Sequence, residues 1–375
     1  MSGYFTGLVP GFVGTIGLTS GIAVFILVEF LVTALFTALV RRYLLRRRIL
    51  DIPNGRSSHS FPIPRGGGLS IVVVFLLAVL LSAQTGVVSN SLSWALIGGG
   101  LLVAGVGFLD DYLRVPARLR LLTHFAAAGW ALWWLNGIGP LHLGWTIWDW
   151  GWVGQVVGLV ALVWMINLYN FMDGIDGLAG TEALCVSALG GLLLASSALG
   201  GLAEGALALA GASAGFLVWN WPPAKIFMGD VGSGFLGFVF GVLAIASAKE
   251  RPLLSWPWLI LLSVFIVDST VTLIRRLIRG TLWYEAHCSH AYQHAARRWG
   301  SHSRVTVTIA AVNVAWLFPL AWGACVWPGL GPLFALVALA PLVYLAFRYD
   351  AGQDTSAAPV APSATEVRAA VGSQA

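Results

Sequence analysis

Apolar stretches long enough to cross a bilayer recur along almost the whole chain, and nothing else in the sequence restricts the fold so strongly. Inside hydrocarbon every backbone N–H and C=O must be paired within the protein, so runs of this length form helices. They lie at about 20–40, 69–84, 92–109, 121–138, 153–169, 183–199, 203–219, 233–248, 256–274, 306–326 and 330–347. Only 10% of the 375 residues are charged, too few to coat a soluble core of that size, and the mean hydropathy is +0.83. The pattern predicts an all-α integral membrane protein of about 10–11 transmembrane helices. Its 18 Trp and 45 Gly suit interfacial belts and close helix packing. Cys185, Cys288 and Cys325 lack motif spacing, which argues against a disulfide framework or a zinc site.

Charge placement predicts the orientation. The first run has no basic residue before it and is followed by Arg41, Arg42, Arg46, Arg47 and Arg48, the reverse of a signal peptide. It reads as a retained helix with its N-terminus outside. When the connections are assigned alternately to two sides, 19 of the 21 basic residues share one side, and only Lys249 and Arg251 fall on the other. The positive-inside rule then gives an N-out/C-in protein. The net charge of +5 reports this orientation, with no nucleic acid implied. Residues 1–350 read as one polytopic domain and 351–375 as a disordered cytoplasmic tail rich in Ala, Ser and Pro.

The polar residues gather in the inner connections. Loop one, from Asp51, reads D-I-P-N-G-R-S-S-H-S-F-P-I-P-R-G-G-G; loop two contains F-L-D-D-Y-L-R. Loop three reads N-L-Y-N-F-M-D-G-I-D-G-L-A-G, loop four P-P-A-K-I-F-M-G-D-V-G-S-G, and loop five contains E-A-H-C-S-H-A-Y-Q-H-A-A-R-R. Five polar clusters at the ends of different helices on one face predict a composite active site at the cytoplasmic surface. Asp110 and Asp111 end the third run, and neighbours on a helix diverge by about 100°, so they are expected to do different jobs. Asp173 and Asp176 would share a face if helical. Asp230 lies in a Gly-rich turn whose amides are expected to cradle phosphate while its carboxylate holds a metal. Five carboxylates with Arg and Lys, and no His or Cys metal spacing, favour Mg²⁺ held by one or two carboxylates plus substrate phosphates.

His287, His290 and His294, spaced i, i+3, i+7, predict one helical stripe directed at phosphate. The residues Arg56, His59 and Arg65 are candidates for a lipid phosphate. Asp268, inside the ninth run, is expected to reach the same cavity or to pair with Arg275. The competing reading is a membrane lipid-phosphate transporter or a noncatalytic binding protein of the same fold. Transport would need polar residues along a route through the bilayer, and the outer connections are nearly bare of charge.

The ordered set D-x-P-N-x-R-x-x-H-x-x-P-x-P-R-x-G-G, the D-D pair ending a run, N-x-x-N-x-x-D-G-x-D-G-L-A and F-M-G-D-x-G-S resembles the polyprenyl-phosphate N-acetylhexosamine-1-phosphate transferases, glycosyltransferase family 4. The resemblance runs from about Asp51 to Arg304. It implies an Mg²⁺-dependent enzyme that transfers a sugar-1-phosphate from a UDP-N-acetyl amino sugar to undecaprenyl phosphate, releasing UMP and initiating O-antigen or other cell-envelope polysaccharide. On this match Asp110 is the base near the lipid phosphate, Asp111 its neighbour at metal or phosphates, and Asp230 the Mg²⁺ ligand. Asn170, Asp173 and Asp176 shape the nucleotide and metal site, the three histidines contact diphosphate, and Asn54 and Lys225 are substrate-binding candidates. Membrane lipids are further partners, and a homodimer is compatible with the pattern. The consecutive histidines of the muramoyl-pentapeptide branch are absent, and A-H-C-S-H-A-Y-Q is similar to the branch that starts O-antigen with 6-deoxy amino sugars. Cys288 stands where that branch commonly has Arg.

Overall fold

A computed structural model describes residues 20–52, 62–113, 115–144, 146–281 and 287–353. Asn54, Arg56, His59, Arg114 and most of the expected tail lie outside the described residues. Each apolar run appears as a helix or a broken pair: α1 (Ser20–Arg47), α2 (Leu69–Gln84), α3 (Asn90–Leu113), α4 (Ala117–Leu135), α5 (Val153–Phe171), α6 (Leu178–Ser196), α7 (Gly200–Asn220) and α8 (Asp230–Glu250). Beyond these come α9 (Ser255–Leu261), α10 (Ser263–Ile278), the short α11 (Ala291–Trp299), α12 (His302–Val312), α13 (Phe318–Val326) and α14 (Gly331–Arg348). Two antiparallel ribbons, Leu50–Asp51 with Ile63–Pro64 and Leu141–His142 with Ile147–Trp148, are the sheet among the described residues.

The expected spans differ in length and composition. Eight described helices are long and apolar enough to cross a membrane, or nine if a bent pair counts as one span. The run at 256–274 is that pair: Pro252–Leu261 and Ser263–Ile278 meet at 70°. Of the two remaining runs, α2 has only 16 residues and α4 carries Arg118, Arg120 and His124. The expected tail begins too early as well. Ala351 is fully buried, Gly352 N donates to Ser289 O at 2.7 Å, and Gln353 O lies 3.1 Å from His294 Nε2.

The helices traverse between two ends. At one end Arg41 reaches Lys225 O, Arg65 reaches Asp230, and Tyr292 reaches Phe171 O. At the other, the Lys249 ammonium meets the carbonyls of Leu135 and Asn136 that close α4, and Trp256 Nε1 donates to His142 O at 2.6 Å. The bent pair runs from the second end to the first.

Helix α8 is the axis of the molecule: 83% of its apolar window is buried, against 17% for α1 and 22% for the last span. A side chain at Gly237 would strike the Met165 carbonyl of α5, and one at Gly241 would lie 2.6 Å from Leu162 Cδ2. Small residues thus let α8 and α5 approach closely, the usual device where lipid offers no hydrophobic drive. Phe235, Phe238 and Phe240 fill the remaining space and are fully buried. Glu182 on α6 escapes the motif search; it is fully buried and accepts from Asn313 Nδ2 at 2.6 Å. Asn313 opens a π-helical turn, Asn313–Leu317, between α12 and α13.

Candidate active site

The site is built around the first turn of α8. Gly229, at φ 76°, turns the chain so that Asp230 becomes the first helical residue, a conformation that Gly adopts without steric cost. Helix starts leave amides without intrahelical partners, and Gly229 has no side chain to cap them. The cap comes instead from α3: Asp111 Oδ1 accepts from Asp230 N at 2.9 Å and Oδ2 from Val231 N at 3.2 Å. The amides of Gly232 and Ser233 both go to Gly229 O at 3.1 Å. The Gly-rich turn is therefore not an open phosphate cradle, contrary to the expectation from its composition, because its first four amides are already engaged.

Two arginines hold the carboxylates together. The segment around residues 64–68 runs beside 227–228, with Phe227 N on Pro64 O, Gly67 N on Phe227 O and Gly68 N on Met228 O, each at 2.8 Å. This places Arg65 Nε 2.8 Å from Asp111 Oδ1 and Nη2 2.5 Å from Asp230 Oδ1. From the first turn of α4, Arg120 Nη1 lies 2.5 Å from Asp110 Oδ2 and 3.4 Å from Asp230 Oδ2. Asp110 Oδ1 accepts from Val115 N at 2.7 Å, closing the turn between α3 and α4. The adjacent acids thus diverge as expected: Asp110 serves Arg120, while Asp111, with its side chain 1% exposed, serves Arg65 and the terminus of α8. Asn170 Nδ2 donates to Asp230 Oδ1 at 3.1 Å and to Ser233 Oγ at 2.9 Å.

Asp173 and Asp176 do not share a helical face, because α5 ends at Phe171 and α6 begins at Leu178. Asp173 faces the cluster; burial, with the nearby charges of Asp230 and Asp111, holds its acid well above the usual range against the pull of Arg65. Among the described residues its carboxylate accepts no hydrogen bond. Asp176 turns away: Oδ2 accepts from Ala224 N at 3.1 Å and lies 3.4 Å from His302 Nδ1. It ties the loop before α8 to α12. Lys225 is exposed and sits over the Trp219 ring at 5.6 Å, beside Arg41; among the described residues it makes no ion pair with the carboxylates.

The histidine stripe is also corrected. Helix α11 begins only at Ala291, so His287 and His290 precede it. His290 is its N-cap, 2% exposed, and its Nδ1 is 3.2 Å from Asp268 Oδ1. Asp268 itself accepts from Ala291 N at 3.0 Å and Tyr292 N at 2.9 Å. It caps α11 in place of the expected pairing with Arg275, which stacks over Phe347 at 4.9 Å. His294 is buried against Gln353 O, and His287 stacks on His290 at 5.0 Å. The three histidines dock a helix beside Asp173 more than they present a surface. Tyr292 completes the docking through its 3.0 Å bond to Phe171 O.

Sequence reasoning missed Arg120, Ser233 and His302. The ten-residue gap from Asp110 to Arg120 spans a helix end and a turn, so no single-helix periodicity links them. Among the described residues no three Asp, Glu, His or Cys side chains form a ready metal cage. The donor set suits a cation that keeps water or substrate oxygens among its ligands.

Carboxylates and arginines from sequence-distant segments, at one end of a bundle of apolar helices, define a multi-pass membrane protein with a charged site at the ends of its spans. Residues 93–248 match the model for glycosyl transferase family 4. It is 27% identical over 335 residues, 84% of this chain and 89% of the relative, to the "Probable undecaprenyl-phosphate N-acetylglucosaminyl 1-phosphate transferase" of Bacillus subtilis (strain 168). It is 28% identical to the undecaprenyl-phosphate alpha-N-acetylglucosaminyl 1-phosphate transferase of Yersinia pestis, over 76% of this chain and 80% of the relative. A phospho-N-acetylmuramoyl-pentapeptide-transferase of Moorella thermoacetica (strain ATCC 39073 / JCM 9320) is 33% identical over 50% of this chain and 62% of its own.

Proposed function

We propose that this protein transfers an N-acetylated amino-sugar-1-phosphate from a UDP-sugar to undecaprenyl phosphate, at the cytoplasmic face of the bacterial inner membrane in an N-out/C-in arrangement. The observation that carries the reading is the convergence of Asp110, Asp111, Asp230, Arg65, Arg120 and Asn170 on the first turn of α8. The family-model match supports the reaction class, and the names of the relatives support the lipid acceptor and the amino sugar. Initiation of O-antigen or another envelope polysaccharide is the role proposed for that product, and donor choice is what the experiment below resolves.

In the proposed reaction an oxygen of the lipid phosphate attacks the β-phosphorus of the UDP-sugar. A new P–O bond forms to the sugar phosphate, the bond from that phosphorus to the bridging oxygen breaks, and UMP leaves with the electron pair. Two anions must meet, so the residues' first task is to lower repulsion. Arg65 and Arg120 supply fixed positive charge at the carboxylate cluster, and Asn170 holds Asp230 in position. Mg²⁺, when bound, supplies charge neutralisation and alignment of the phosphates. Asp230, whose side chain is 16% exposed against 1% for Asp111, is the residue that would hold it. Asp111, expected as a second ligand, already accepts two amides and Arg65, so Asp173, whose carboxylate accepts no hydrogen bond among the described residues, takes that role in this proposal. Asp110 stands between Arg120 and the end of α3, where it would orient the incoming lipid phosphate or take its proton.

The decisive experiment follows UMP release from purified protein given undecaprenyl phosphate, Mg²⁺ and a panel of UDP-amino sugars, UDP-N-acetylglucosamine first. Turnover that is lost in Asp110→Asn and Asp173→Asn is expected. No turnover with any donor would remove the enzyme reading. A covalent labelled adduct on the protein would replace direct attack with a two-step route.

A further inference from the structure

Among the described residues the Asp173 carboxylate accepts no hydrogen bond, so the main chain on either side of it decides where it points. That chain is the turn between α5, which ends at Phe171, and α6, which begins at Leu178. The far half of the turn is tied to two helices. Asp176 N lies 3.4 Å from His302 Nδ1 on α12, and Gly177 N donates to Asn220 Oδ1 on α7 at 3.1 Å. The near half, from Phe171 to Gly174, meets Tyr292 of α11.

The Tyr292 hydroxyl bridges that half. It donates to Phe171 O at 3.0 Å and accepts from the Gly174 amide. One oxygen therefore holds the chain two residues before Asp173 and one residue after it. The glycine at 174 serves this contact. Gly177 sits at φ 75°, whereas Gly174 is not at positive φ, so its value lies in its size. A Cβ at Gly174 would strike the hydroxyl oxygen and lie 3.1 Å from Tyr292 Cζ.

Tyr292 is itself fixed. It is 3% exposed, its ring lies 5.6 Å from that of His290, and its amide donates to Asp268 Oδ2 at 2.9 Å. Asp268 belongs to α10, where the next residue, Ser269, donates from its hydroxyl to Leu168 O of α5 at 3.3 Å. The frame that sets Tyr292 is thus anchored on the same helix that the turn leaves. With its proton given to one main-chain group and a lone pair to another, the phenol is engaged in holding the backbone.

We propose that Tyr292 is a positioning residue: its hydroxyl clamps the turn on both sides of Asp173 and so aims that carboxylate at the cluster around Asp111 and Asp230. This assignment rests on the role proposed above for Asp173. Tyr292 acts through that residue and has no part in the chemistry.

Two measurements test it. Tyr292→Phe keeps the ring and removes the hydroxyl. Because misplacing a site by an ångström is costly in rate, kcat should fall at least about tenfold in Y292F. KM for undecaprenyl phosphate and for the UDP-sugar should stay within about twofold of wild type. Arg298→Ala, which breaks the exposed pair with Asp350 at the other end of α11, is the control and should keep the wild-type kcat. An unchanged kcat in Y292F, with or without a higher KM for the UDP-sugar, means that the hydroxyl only docks α11 and overturns the proposal. The second measurement is residue-resolved amide exchange in detergent, which needs no turnover. Gly174 should be protected in the wild type, and Y292F should speed its exchange at least about tenfold while residues 291–299 exchange as before. An unprotected Gly174 in the wild type, or equal acceleration throughout α11 in Y292F, refutes the clamp. A wild-type protein that turns over no donor would count against the reaction and leave the clamp decided by the exchange of Gly174.

Discussion

At the scale of single residues, the two acids of one D-D pair have separable roles. Asp111 is a buried helix cap and ion-pair partner, so Asp111→Asn leaves Arg65 and one amide poorly matched. The expected cost is about 1–3 kcal/mol of stability, read as a lower melting temperature in detergent, together with lost activity. Asp173→Asn is expected to keep or raise the melting temperature while lowering kcat by about 10²-fold or more. If both variants melt like the wild type, the capping role of Asp111 is wrong. Proton linkage gives a second test at Asp173. Burial raises its acid, so the folded chain without cation binds more protons than the unfolded chain above the ordinary carboxylate range. Stability from this group is therefore present at low pH and is lost as pH rises toward the folded value. A bound cation needs the carboxylate, so Mg²⁺ binding should release protons, as calorimetry in buffers of different ionisation enthalpy would show, and D173N should release fewer. The residue types of the site were legible in the sequence, because acids at the ends of apolar runs are costly without a partner. Their division of labour was not. Whether Asp111 meets a metal or an amide depends on where α8 begins, 119 residues further on.

Among elements, apolar periodicity marked every traverse but not how each is built. The break after Leu261 has no Gly or Pro at the bend, and α11 starts where it does because Asp268 receives its first amides from another helix. Such long-range caps leave no local trace, which is why the histidine spacing suggested a stripe that the fold does not form. The caps also predict how elements fail. Asp268→Ala should detach α11, with faster amide exchange confined to residues around 287–300 and to the turn at 171–174 that Tyr292 holds, and little change elsewhere. The seam between α3 and α8 is tighter still, since a Cβ at Gly107 would lie 2.5 Å from Asp230 O and 2.6 Å from its carbonyl carbon. Gly107→Ala should leave helicity by circular dichroism unchanged yet lower kcat/KM about 10²-fold, the usual effect of misplacing a site by an ångström.

For the whole molecule the expected sidedness is the strongest remaining test. Arg118 and Thr146 are exposed at opposite ends of the bundle. In a background with the native cysteines replaced, Thr146→Cys in intact cells should react with a membrane-impermeant maleimide and Arg118→Cys only after permeabilisation. The reverse pattern would put the charged site outside, where no UDP-sugar is supplied. The charges are few but ordered. Every basic residue of the described cluster meets an acid, and the surface left to lipid is apolar.

The capped start of α8 has one more consequence, for inhibition. A helix terminus with free amides is an anion hole that takes sulfate, inorganic phosphate or a nucleotide with little discrimination. Here the protein's own carboxylate sits in that hole, so small inorganic anions have no preformed place to lodge. Millimolar phosphate should then compete poorly with either substrate, and what the site binds must be chosen by contacts beyond the phosphate itself.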